Sequence, residues 1–95
     1  MKEVRFKQIH KEHILSLAYK MHKVYKQKKK MLNNASHIDE KRYKDTVQHE
    51  KSVQRQLQLF LDKYYRGKQE RLSNLFNCFV QLYELDNKEH IDVYF

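Results

Sequence analysis

The sequence predicts an elongated all-α protein, an antiparallel three-helix bundle drawn out as a helical hairpin with short extended termini. Three observations carry this. The 95 residues include one Gly (Gly67) and no Pro, whereas an all-β sandwich or barrel needs many tight turns built from such residues. Apolar residues recur at helical spacing through most of the chain. The length suits a single helical domain over residues 1–95 and not two domains.

The first helix is expected over about residues 8–33. Ile14, Leu17, Ala18, Met21, Val24, Tyr25, Met31 and Leu32 recur at i, i+3, i+4 and i+7. At 100° per residue they share one arc of roughly 140°. Lys20, Lys23, Lys26 and Lys30 take the other side, while Lys28 intrudes on the apolar arc, where its aliphatic stem can lie along apolar surface.

Asn33-Asn34-Ala35 reads as a short connection. Ser36 is then a good N-cap, with Asp39 at the capping-box position three residues on. The second helix follows over about residues 37–66, with Tyr43, Val47, Val53, Leu57, Phe60, Leu61 and Tyr64 inward. Glu50 and Gln54 interrupt that face, so its first half is weakly apolar. Gly67 takes a left-handed C′ position at little cost and should end the helix.

The third helix spans about residues 68–85, with Leu72, Leu75, Phe76, Phe79, Leu82 and Tyr83 at 3–4 spacing. Asp86-Asn87-Lys88 signals a turn within the tail 86–95. His90 to Phe95 alternates like a short strand, as do Val4 and Phe6, so the two ends are expected to pair or to join a partner's sheet edge.

Composition excludes several functions. Phosphate loops of the Rossmann or P-loop kind need several glycines. A lone Cys78 forbids an internal disulfide framework and suits a reducing, cytoplasmic setting. The N-terminal segment lacks the apolar core of a secretory signal, and no run of 18 apolar residues can span a membrane. A membrane-surface role for the first helix is disfavoured, because its apolar face carries no Trp or Phe. His10 and His13 flank a carboxylate, but zinc needs three or four converging ligands, and the other histidines are scattered. Cys78 sits at the edge of an apolar face and is expected to be semi-buried and structural. The serines show no partnered base, and a slender bundle seldom forms a catalytic pocket. The chain is therefore expected to be no enzyme and to need no cofactor or metal.

Charge is the informative feature. Lys and Arg number 20 against 12 acids, a net of +8. Residues 1–33 alone carry +8, residues 34–66 carry +2 and residues 67–95 carry −2. The first two helices should be roughly 40 Å long and the third nearer 25 Å. Short loops make neighbours antiparallel, so the third helix should pack beside the C-terminal half of the second. The end of helix one and the start of helix two then project as a two-helix tip over about residues 20–45, carrying a net of +6.

Lysines neutralise phosphates and release counterions with little sequence preference. The pattern therefore points to nucleic-acid backbone held by Lys20, Lys23, Lys26, Lys29 and Lys30, with Arg42 and Lys44 assisting from the facing helix. Such contacts do not separate DNA from RNA. Tyr19, Tyr25 and Tyr43 lie near the tip, though the last two fall on apolar faces and should be core.

Gln56-Leu57-Gln58-Leu59-Phe60 resembles the pentapeptide by which bacterial replication proteins bind the sliding clamp, usually Gln-Leu-(Ser/Asp)-Leu-Phe. The resemblance covers five residues, of which Gln58 departs from the pattern, and it implies an extended peptide in an apolar pocket. In this chain the string falls mid-helix with Leu57 and Phe60 inward, so helix-core packing is the expected use. Leu59 alone points outward.

The sequence thus describes a small basic accessory protein that binds nucleic acid within a larger, replication-type complex. The alternative is an adaptor or inhibitor that docks on a protein partner, or on a second copy, through a helix face or the tail. Its contacts would be Leu59, Ile91, Val93, Tyr94 and Phe95. A mean hydropathy of −0.99 fits a modest core completed by a partner.

Overall fold

The structure, a computed structural model, describes residues 5–33 and 40–95, and of Asn33, Asp92 and Val93 the backbone only. The expected caps Ser36 and Asp39 and the extended residue Val4 lie outside the described residues. A 3₁₀ turn, Gln8–His10, runs directly into α1, Lys11–Asn33. Then come α2, Glu40–Tyr64, α3, Gln69–Glu84, and a 3₁₀ helix, Lys88–Tyr94. No strand occurs among the described residues.

Two left-handed residues punctuate the helices. Gly67 has φ +83°, and its N–H donates to Gln69 Oε1 at 2.7 Å, turning the chain from α2 into α3. Asp86 has φ +57°. The N–H of Asn87 reaches the Leu82 carbonyl at 2.9 Å and that of Asp86 the Tyr83 carbonyl at 3.2 Å, the paired bonds of a Schellman C-cap. Glycine usually occupies that position. Aspartate is one of the few other residues that tolerate it.

Helices α1 and α2 are antiparallel. Lys28 meets Glu50, Met21 and Leu57 line one cleft, His13 packs on Phe60, and His10 lies against Tyr64. As one number falls the other rises. Helix α3 packs chiefly on α1 and only lightly on α2, a departure from the expected α2–α3 pairing. The reason is residue placement. Phe76, Phe79 and Val80 share one buried cluster with Ile14, Leu17, Ala18 and Met21, whereas Gln54 and Gln58 of α2 line an open cleft against α3.

The core comprises those α1 and α3 residues with Leu72, and Val53, Leu57 and Leu61 of α2. Phe6, Tyr65 and Ile91 complete it from outside the three α-helices. Burying such side chains contributes roughly 1.5–3 kcal/mol each. The molecule measures 50 × 27 × 22 Å.

The tail corrects the strand reading. Lys88–Tyr94 winds as a 3₁₀ helix against α3, and Ile91 is 1% exposed. Phe6 sits edge-on to Tyr65 at 5.4 Å and stacks with Phe95 at 6.5 Å, and Phe95 stacks on Phe79 at 5.4 Å. The ends do meet, but through rings and not through a ladder of backbone bonds. A short apolar run cannot distinguish a strand from a buried helical turn, and an apolar socket at Phe79 selects the turn.

Candidate nucleic-acid interface

Helix α1 is unbroken through the lysine-rich stretch, so its lysines keep helical positions. Lys20, Lys23, Lys26, Lys29 and Lys30 are all exposed. The buried arc of Ile14, Leu17, Met21 and Val24 occupies the opposite side and fixes the rotation of the helix. From Lys20 to Lys30 the rise is about 15 Å. Each i+3 step also turns the row by about 60°, so Lys20, Lys23, Lys26 and Lys29 form a ridge winding half-way around the outer face. A straight polyanion could reach only part of this ridge, and a wrapped one all of it. Lys23 is steadied by the Tyr19 ring, its Nζ lying 4.9 Å from the ring centre.

The projecting arm is shorter than expected. Tyr83 at the end of α3 packs against Tyr19 at 5.6 Å, and Glu84 acts electrostatically on Tyr25. Helix α3 therefore covers α1 as far as about residue 25. Lys26, Lys29 and Lys30 stand on the two-helix arm, while Lys20 and Lys23 stand on the three-helix base. His22 stacks on Tyr83 at 6.2 Å and does not join the basic tip.

An ion pair pins the arm. Lys28 Nζ donates to Glu50 Oε2 at 2.8 Å, with both side chains largely covered. Glu50 thereby raises the Lys28 ammonium above its ordinary range, chiefly through the hydrogen bond. The lysine that intruded on the apolar arc and the glutamate that interrupted the facing one are partners. Thr46 Oγ1 donates to the Arg42 carbonyl at 2.9 Å, so the buried threonine also satisfies its hydroxyl. Arg42 and Lys44 are exposed, but two residues apart they lie about 200° apart around α2 and cannot share one face.

A second feature escaped the sequence reading. A cleft of about 350 Å³ lies between α2 and α3, lined by Met21, Tyr25, Gln54, Leu57, Gln58, Ser73, Phe76 and Asn77. Met21, Leu57 and Phe76 form a buried floor, and Gln54, Gln58 and Asn77 an exposed rim. The legible signal was Gln54 on an otherwise inward face. Burial raises the Tyr25 phenol above its ordinary pKa, with a further contribution from Glu50.

The residues expected to meet a protein partner are scattered. Leu59 is 59% exposed on the outer face of α2 and Tyr94 is exposed at the tail. Ile91 is core and Phe95 half-buried, because the tail folds back onto Phe6 and Phe79. Neither is a free docking residue. The side chain of Val93 lies outside the described residues. The clamp-like string is helical throughout, with Leu57 buried and Phe60 packed beside His10 and His13. Cys78 is exposed and not semi-buried.

Among the described residues no three His, Cys, Asp or Glu converge as a metal site, and no helix is long and apolar enough to cross a membrane. No known protein family, curated protein or solved structure matches this chain.

Proposed function

We propose that this chain is a small, non-enzymatic, basic accessory protein that binds nucleic-acid backbone, DNA or RNA, inside a larger cytoplasmic assembly. The observation that carries the reading is the exposed lysine ridge Lys20, Lys23, Lys26, Lys29 and Lys30, backed by an apolar face that holds its helix in place. Ammonium groups on a rigid helix neutralise successive phosphates and release counterions, which makes affinity steeply salt-dependent and nearly blind to sequence. Arg42 and Lys44 extend the positive field along α2 on two sides.

The test is a salt titration of duplex and single-stranded binding by the wild type and by a Lys23, Lys26, Lys29, Lys30→Ala variant. The variant should bind more weakly, and the slope of log affinity against log salt should fall by about 0.9 for each duplex phosphate that is no longer neutralised. An unchanged slope overturns the reading.

A second reading rests on exposed Leu59, a large apolar side chain directed away from the core. In that reading the chain docks on a protein partner through the outer face of α2. Leu59→Glu would abolish complex formation while leaving nucleic-acid binding intact.

A further inference from the structure

We infer that the cleft between α2 and α3 accepts a single unpaired nucleobase, whose flanking phosphates lie on Lys29 and Lys51. This rests on the backbone-binding reading and specifies which strand form it prefers.

Three features support the occupant. The first is the chemistry of the cleft. Its rim is uncharged and rich in carboxamides, from Gln54, Gln58 and Asn77, with the Ser73 hydroxyl and the Tyr25 phenol inside it. Carboxamides present a donor and an acceptor in one plane, which is the complement of a base edge. Gln58 already donates to Asp62 at 3.0 Å, which leaves its carbonyl oxygen to serve as an acceptor. An ionic ligand would find no fixed counter-charge in this lining.

The second feature is shape. The floor of Met21, Leu57 and Phe76 is apolar and closed, while the rim stays open to solvent. A base inside a duplex has its edge paired and its faces stacked, so only an unpaired base can enter.

The third is charge placement. Lys29 lies one helical turn beyond Tyr25 along α1, and Lys51 lies one turn before Gln54 along α2. Both are exposed and stand at the arm end of the cleft. Glu50, the acid nearest that end on α2, is neutralised by Lys28. A strand running along the lysine ridge can therefore turn one base into the cleft without bringing its phosphates against an unpaired Glu50.

The experiment compares a short oligothymidylate, the same strand with one abasic residue at each position in turn, and a blunt duplex. Binding is read by tyrosine fluorescence and by amide chemical-shift changes. The full chain is used, with Gln54→Ala and Ser73→Tyr as cleft variants and Lys29→Ala with Lys51→Ala as charge variants. Gln54 is exposed on a helix, so its alanine variant should fold normally, and melting curves check both. We expect one abasic position and Gln54→Ala each to weaken single-strand binding about ten-fold, with shifts at Tyr25 and Asn77. The charge variant should weaken the intact and abasic strands alike. If abasic strands bind as well as intact ones and both cleft variants are silent, the cleft assignment falls while the backbone reading stands. If no strand binds with salt dependence, both fall.

Discussion

The hydroxyl of Tyr65 lies 2.6 Å from Nδ1 of His10 and also accepts the backbone N–H of Lys7 at 2.9 Å. The tyrosine oxygen thus bridges a backbone amide and the imidazole of the same N-terminal segment. The pair fastens the N-terminal segment, and with it Phe6, to the turn between α2 and α3.

A pH dependence follows. Desolvation first, then the positive charges of Lys7 and His13, hold the His10 pKa below its ordinary 6.5. A histidine whose folded pKa is lowered takes up protons more readily when unfolded, so its contribution is complete above 6.5 and is lost as pH falls below it. Thermal melts should show stability declining as pH falls below 6.5. In Tyr65→Phe the Lys7 amide should exchange faster at every pH. Equal protection in the variant would show that the hydroxyl does not hold this segment.

The two left-handed residues should respond in opposite directions. Gly67→Ala meets no atom within 4 Å, so only its backbone angle is penalised, and a loss of about 1 kcal/mol is expected. Asp86→Gly removes a similar strain at the end of α3 and should be neutral or stabilising by about 0.5 kcal/mol. Denaturant midpoints measure both.

Leu57 and Leu59 are neighbours in the clamp-like string with opposite fates. Leu57→Ala empties a packed core position and should cost about 2–4 kcal/mol. Leu59→Ala lies on the solvent side and should stay within about 0.5 kcal/mol of the wild type. If the two cost the same in chemical denaturation, the register of α2 against the core is incorrect.

Lys28→Met should loosen the arm. It leaves the largely covered Glu50 carboxylate without its partner, at a cost of about 1 kcal/mol after allowance for solvent screening. Hydrogen exchange should quicken in residues 40–50 and 26–33 and stay unchanged around Phe76 and Phe79. Uniform quickening would mean that the pair supports the whole fold.

Much of this architecture was legible from periodicity. The i, i+3, i+4 spacing of Ile14, Leu17, Ala18 and Met21 defined the buried face of α1, and therefore where Lys23, Lys26 and Lys30 must stand. Gly67, as the one residue suited to a left-handed turn, marked the boundary between α2 and α3. Asp86 does the same work with a side chain less diagnostic of it, so Asp86-Asn87-Lys88 signals a turn without specifying a left-handed cap.

A run as short as His90 to Phe95 does not carry enough pattern to separate a strand from a 3₁₀ turn. Ile91 and Phe95 turn inward only because Phe6 and Phe79, distant along the chain, meet there. The candidate interface divides the same way. The lysine ridge depends on one helix, so local sequence revealed it. The cleft depends on α2 and α3 standing apart over α1, and no local pattern encodes that separation.

From its residues alone the chain determined three helices, their buried faces, and a concentration of positive charge on the first of them, since each depends on neighbours within a few turns. Tertiary structure decided that Lys28 would answer Glu50, that Tyr65 would hold His10, and that the tail would become core. Those outcomes require groups 22 to 89 positions apart to arrive within contact distance, and only the packed chain brings them there.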